Sequence, residues 1–350
     1  MTVAASHRNA AQANQARLFN SPLIKHFLPS STEKLENADE IVYHYTSPEA
    51  FLSIIQNQAI RFTDIRYLND TSEGGVYFAK LLLEFVDKHH DRFPLFNDVV
   101  NGLLSGNDFD KIKKLDTTAV SYPSIPGLPY KNRVFVFCAC NGADSLNMWN
   151  YYVNNGSYQG YNIGFRPTKL LKTFDIPDPS VWDAFSVYYG NVIYDNKTQF
   201  SEIERFAKWI ESRLIISPGR PHPVYTIEQA QFRLHTYIRT YGLFYKHPKF
   251  KSEDEFRFLI EIHNDRIPRS EKEAEKYIGK YNRKMKQGFC CKQGLVVPFL
   301  SISLPEDSIY RVTLSPMTES NIAKDSIREL LATSGFKNIS IYRSSIPIRF

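Results

Sequence analysis

Strand-like and helix-like stretches alternate irregularly along this chain, and several strand pairs are joined by short or polar connections. A doubly wound parallel sheet needs a crossover helix after each strand, so this order argues for an α+β fold with a mixed or mostly antiparallel sheet and flanking helices. The first clear strand is Ile41-Val42-Tyr43-His44-Tyr45-Thr46, which runs into the helix-start signal Ser47-Pro48-Glu49. A helix through Ile55 follows, then a strand over 59–63 and a polar loop over 64–75. Helices are predicted over 76–88 and 96–114, and three prolines make 122–129 an irregular loop. Strands are predicted over 133–140, 158–165, 187–194, 255–262, 309–314 and 339–342. Helices are predicted over 146–153, 201–215, 227–244 and 320–331.

Residues 1–40 read as an appendage, either a helical contact arm for a partner or a partly disordered tail. Its helix would cover 9–19, broken by Ser21-Pro22, with a second short turn through Leu28. Residues 41–350 read as a single α+β domain of catalytic type.

The 350 residues are 43% hydrophobic and 23% charged, values that suit a folded core. Aromatic residues reach 14%, with 25 Phe and 21 Tyr, enough for a core and for surfaces that stack on flat ligands. The net charge of +6 suits an anionic partner such as a dinucleotide or nucleic acid, although so small an excess also serves plain solubility. The nearest approach to a basic run is Arg283-Lys284-Met285-Lys286. Cys138 and Cys140, like Cys290 and Cys291, do not have zinc-ligand spacing, so no metal is expected. On a strand, Cys138 and Cys140 would share one face as small buried hydrophobes. No apolar stretch approaches a membrane span and the N-terminus lacks a secretory h-region, so a cytoplasmic protein is expected. Neither common phosphate-cradling glycine loop is present.

Five short motifs recur in a fixed order: His44-Tyr45-Thr46-Ser47; Asn69-Asp70-Thr71-Ser72-Glu73; Met148-Trp149-Asn150-Tyr151-Tyr152 leading to Gly160 and Ile163-Gly164-Phe165; Glu253-Asp254-Glu255-Phe256-Arg257; and the ending Ser344, Ile346, Pro347, Arg349. In this order they resemble a bacterial family of unknown function over about residues 41–350. The chain departs from the family pattern at Thr71, where proline is common, and at Ser252, where an aromatic is common. The family in turn resembles ADP-ribosyltransferases of the H-Y-E kind, which clamp NAD in a split, mostly antiparallel sheet.

The resemblance implies that the chain cleaves NAD and passes ADP-ribose to a macromolecular acceptor, protein or nucleic acid, as a toxin or an anti-phage defence effector with an antitoxin-like partner. It implies His44 as a ligand of ribose hydroxyls, helped by its neighbours Tyr45 and Thr46, and Tyr152 as the ring that stacks nicotinamide. Glu255 would be the catalytic carboxylate and Glu253 its helper. Cleavage of the nicotinamide–ribose bond builds positive charge on the sugar, which a carboxylate stabilises. Glu253 and Glu255 are two apart, so on a strand they would share a face with Arg257. Trp149 and Tyr151 read as core residues. Arg66 could touch phosphate, while Asn69, Asp70 and Glu73 read chiefly as a helix cap, with the acceptor site second. Two alternatives use the same residues: an NAD glycohydrolase, with water as acceptor, and a module that binds a nucleotide or partner without chemistry.

Overall fold

The computed structural model describes residues 21–27, 40–68, 75–104, 133–153, 158–174, 185–216, 222–262, 272, 285–292, 294–318 and 320–348. They group into two compact units, each built from three separated stretches: Met1–Lys25, Ile65–Tyr130 and Gly190–Lys251; and His26–Asp64, Lys131–Tyr189 and Ser252–Phe350. The sequence reading drew 41–350 as one domain. The fold is mixed α+β with a mostly antiparallel, open sheet.

Among the described residues, eleven strands form the sheet: β1 (Ile24–Phe27), β2 (Val42–Thr46), β3 (Ala59–Asp64), β4 (Arg133–Cys140), β5 (Tyr161–Phe165), β6 (Phe185–Asn191), β7 (Glu255–Ile262), β8 (Met285–Lys292), β9 (Leu295–Ser303), β10 (Ile309–Leu314) and β11 (Ser340–Arg343). The main path runs β1-β6-β7-β4-β2-β5-β10-β11, and β3 branches from β4 to β9, which pairs with β8. Strands β10 and β11 are parallel. The pairs β2–β4, β2–β5, β3–β4, β3–β9, β4–β7, β5–β10 and β8–β9 are antiparallel.

The pairing of β4 opens the sheet. One edge is matched to β7 along its whole length, from Arg133↔Ile262 to Cys140↔Glu255. The other edge is shared. β3 takes Phe135 and Val136, and β2 takes Cys140 through the single pair Tyr43↔Cys140. Between those contacts β2 and β4 have no ladder pair among the described residues.

Alternation along the strands sorts the side chains onto two faces. The apolar face carries Val42, Phe135, Phe137, Ala139, Ile163, Phe165, Phe256, Phe258, Ile260, Ile262, Val312 and Leu314 in one core. Helix α1 (Pro48–Asn57) covers it with Phe51, Ile54 and Ile55, and the Ser47 hydroxyl caps that helix by accepting from the Ala50 N–H at 3.3 Å. The helix Ser320–Thr333 adds Ile327 and Leu331. β7 is buried at all eight positions, as befits a strand with neighbours on both edges and layers on both faces.

The other unit is helical: α2 (Gly75–His89), α3 (Pro94–Leu104), α6 (Asn196–Leu214) and α7 (Ile227–Thr240), with α4 and α5 reserved for the short helices Leu146–Tyr152 and Pro167–Leu171 of the sheet unit. Its core is aromatic. Phe206 stacks on Tyr237 at 3.9 Å between centroids, and the hydroxyls of Tyr237 and Tyr245 share a 2.9 Å hydrogen bond. The buried Gln199 amide donates to the carbonyls of Ile193 and Lys246, tying α6 to the chain that follows α7.

Some boundaries differ from the sequence expectation. Residues 24–27 of the appendage, read as a turn, form strand β1 beside β6. Helix α6 starts at Asn196 rather than 201 because the Asp195 carboxylate accepts from the Thr198 N–H at 2.8 Å. The hairpin β8–β9 was missed. Its register closes at Lys292↔Leu295, with Gly294 at φ +79°, but β8 is buried only at Met285 and lacks clean alternation, so the strand signal is weak. The proposed helix 9–19, and the stretch 105–114 of the second predicted helix, lie outside the described residues.

Gly160 shows what the packing tolerates. A Cβ there would stand 2.5 Å from the Thr46 carbonyl oxygen and 2.5 Å from Val153 Cγ1, and the first of these is backbone that cannot rotate away. Gly160→Ala is therefore expected to lower stability by about 1–3 kcal/mol, read as a lower urea midpoint at unchanged m-value.

Candidate functional site

His44 lies on the apolar face, at the opening between β2 and β4. Its register partner on β5 is Ile163 and its ring sits 4.8 Å from Phe137. The Nδ1–H donates to the Cys138 carbonyl at 3.0 Å, so an imidazole joins β2 to β4 beside their single ladder pair. That bond fixes the neutral tautomer and makes Nε2 an acceptor. Burial pushes the His44 pKa below the ordinary value, against a smaller opposing effect of the Cys138 carbonyl. Among the described residues Nε2 has no hydrogen-bond partner. Thr46 follows on the same face and is buried.

Glu255 points to the opposite face. Its β4 partner is Cys140, whose β2 partner is Tyr43, and directly paired residues project to one side. His44, next to Tyr43, projects to the other. Glu255 is 4% exposed and Arg257 1%, and two guanidinium nitrogens of Arg257 converge on Glu255 Oε2, Nε at 2.6 Å and Nη2 at 2.5 Å. The pairing within one face was expected. A solvated strand edge, the bland reading of these charges, does not apply to a strand buried throughout. Glu253 differs from expectation. It ends the 3₁₀ stretch Pro248–Glu253, and Asp254 has φ +45°, so strand alternation does not relate Glu253 to Glu255. Asn141 holds that kink: its N–H and its side-chain amide both donate to the Asp254 carbonyl, at 2.9 and 3.2 Å, and the amide also reaches Asp254 Oδ1 at 3.0 Å.

The Tyr43 face is covered by the loop after β4 and by helix α4. Met148, Trp149 and Val153 pack with Tyr43, Tyr45 and Cys140 in a second small core. Tyr45 is a structural member. Its ring meets Trp149 edge-on at 4.7 Å, its hydroxyl donates to the Gly142 carbonyl at 2.9 Å, and it accepts from the Ser145 N–H at 2.8 Å. Burial raises its pKa. Burial also pushes the Cys140 thiol up to about 12, so it is an inert thiol. Tyr152 ends α4 and is 40% exposed, while Tyr151, expected in the core, is 60% exposed. Arg66 belongs to the helical unit, its guanidinium 5.8 Å from the ring of its neighbour Tyr67. Asn69, Asp70 and Glu73 lie outside the described residues. Thus Glu255 and the helix bearing Tyr152 sit on the Tyr43 face, and His44 and Thr46 on the other.

The residue that joins the motifs was not singled out from the sequence. Asp144 accepts at Oδ1 from Trp149 Nε1 at 2.8 Å and from Ser344 Oγ at 2.7 Å, and at Oδ2 from the Ser345 N–H and hydroxyl at 2.8 and 3.1 Å. Burial alone would raise its pKa, but the donors Ser344, Trp149 and Ser345 outweigh it and hold the carboxyl below the usual aspartate range. The signal for it was an acid next to the helix-capping Ser145.

A family model described as a protein of unknown function (DUF2971) matches residues 148–258. The match spans the Met148–Tyr152 motif, the Ile163-Gly164-Phe165 strand and the Glu253–Arg257 motif; His44 and Ser344 lie outside it. No curated protein and no solved structure matches the chain. No helix among the described residues is long and apolar enough to cross a membrane.

Two substitutions test the electrostatics. Arg257→Met removes the cation whose two nitrogens grip the buried Glu255 and should lower stability by about 3–5 kcal/mol, measured by chemical unfolding. Asp144→Asn should lower it by about 2 kcal/mol at neutral pH, since charge-assisted hydrogen bonds are replaced by neutral ones. The folded pKa of Asp144 lies below the ordinary 3.8, so its contribution is present above that value and is lost as pH falls through the folded pKa. An acid titration of stability should therefore be shallower in Asp144→Asn than in the wild type.

Proposed function

We propose that this chain binds NAD with a ribose at His44 and transfers ADP-ribose to a macromolecular acceptor, in the manner of the H-Y-E ADP-ribosyltransferases that its motifs resemble. The observation that carries the reading is the neutral His44, whose Nε2 acceptor is unpartnered among the described residues and stands where β2 and β4 part. A ribose hydroxyl is the matching donor. The slight cationic balance of the chain favours a nucleic-acid acceptor over a protein. As a toxin or defence effector, such a protein would act on RNA or DNA and be held in check by an antitoxin-like partner.

A second reading is favoured by one specific observation. Glu255 faces away from His44 and is gripped by Arg257, which suits a structural ion pair better than a carboxylate waiting for a ribosyl cation. On this reading the chain binds the nucleotide and performs no cleavage.

One experiment separates them. NAD should raise the melting temperature of the wild type and not of His44→Ala, and nicotinamide release should require Glu255, failing in Glu255→Gln. Release stimulated by RNA, DNA or lysate protein names the acceptor class, and release in buffer alone means that water is the acceptor. Stabilisation without release leaves the binding module. Neither stabilisation nor release sinks both readings. Because the His44 pKa is depressed below 6.5, NAD affinity should stay flat as pH falls through that value and drop only further into acid; a midpoint at or above 6.5 would count against His44.

A further inference from the structure

On the Tyr43 face, four strands align two rows of residues. One row is Tyr45↔Asn162↔Thr313↔Tyr342 and the other is Tyr43↔Gly164↔Arg311↔Ser340. Arg311 lies between two rings of these rows, its guanidinium carbon 4.9 Å from the centroid of Tyr43 and 5.2 Å from that of Tyr342. Gly164 makes this possible: a Cβ there would press to 3.2 Å on both Arg311 Cγ and Tyr43 Cε1.

The Arg311 side chain forms no hydrogen bond and no ion pair among the described residues, and its Nε is buried without a partner. Beside it, Asn162 Oδ1 and Thr313 Oγ1 are also buried and unpartnered. The Asn162 amide is oriented by its Nδ2, which donates to the Ala143 carbonyl at 2.7 Å, so Oδ1 is the atom left over. Three such atoms on one patch of sheet are unusual, because buried polar groups are normally paired. The carboxylate of the covering loop, Asp144, is committed to its own four donors. A second cation follows at the surface: Arg166 stands 4.8 Å from the ring of Tyr310 and bonds two backbone carbonyls rather than an acid. Tyr310 and Tyr342 are 40% and 48% exposed.

We propose that Arg311, framed by Tyr43 and Tyr342, is a binding site for a phosphate group carried by a nucleotide or a single-stranded nucleic acid. A planar guanidinium with no carboxylate partner is the group that takes a phosphate through paired N–H donors. Exposed tyrosines alternating with arginines are the surface on which unpaired bases stack. This site is on the opposite face from His44 and stands independently of the NAD reading.

The test is a titration of the full chain with inorganic phosphate, adenosine monophosphate and a short single-stranded oligonucleotide. The wild type should bind, and Arg311→Ala should weaken binding about tenfold or more, the loss expected for a charge-assisted pair. A gain in affinity for the oligonucleotide over the mononucleotide that is lost in Tyr342→Ala assigns the phosphate to a strand; equal affinities assign it to a small phosphate compound. If Arg311→Ala fails to fold, phosphate must still protect Arg311 of the wild type from an arginine-selective dicarbonyl reagent, read by mass spectrometry. Absence of binding to all three probes, undiminished binding by folded Arg311→Ala, or no protection of Arg311 would overturn the proposal.

Discussion

Backbone groups inside a sheet must be paired, and β4 meets that requirement in an uneven way. Its β7 edge is complete, while its other edge is divided between β3, at Phe135 and Val136, and β2, at Cys140. Between those two stretches the His44 imidazole donates to the Cys138 carbonyl. That one hydrogen bond sets the tautomer, leaves the far nitrogen as an acceptor and places it beside apolar rings that keep it neutral. The two faces of the sheet then take different work. One is a continuous hydrocarbon layer, and the other collects Glu255, Arg257, Asn162 and Arg311 under a thin cover.

That division separates features that looked like one constellation in the sequence. The motif glycines and the tryptophan have plain packing reasons. Gly160 admits the Thr46 carbonyl, Gly164 lets Arg311 lie against Tyr43, and Trp149 donates to Asp144. Short motifs far apart in the chain can thus recur together because they close one small core, with no chemistry required of them. Among the described residues, His44 Nε2, Arg311 Nε, Asn162 Oδ1 and Thr313 Oγ1 are groups that the protein itself does not satisfy.

The fold was largely legible because the strongest signals were local. Ser47-Pro48 started a helix where expected, the alternation of Phe256, Phe258 and Ile260 marked a core face, and Arg133 to Cys140 read as a strand. The candidate site was less legible, since period two tells which residues of one strand share a face but not how two strands are in register. His44 and Glu255 each read well alone; the single pair Tyr43↔Cys140 sends them to opposite sides. Glu253 escaped because a left-handed residue at Asp254 interrupts the period. Asp144 and Arg311 escaped because what makes them distinctive is the supply or lack of partners from remote segments.

The Asp144 clasp also fixes an order of events in time. Its donors Ser344 and Ser345 lie 200 and 201 positions further along the chain, and β4 waits for β7 in the same way. Loop closures of that length are slow compared with helix formation. During synthesis the aromatic helices can gather early, whereas the loop that covers the Tyr43 face stays unfastened until the last strand has left the ribosome. Until Ser344 and Ser345 are made, Asp144 has Trp149 as its donor from the nearby chain, so the clasp on the Tyr43 face is completed only after β11.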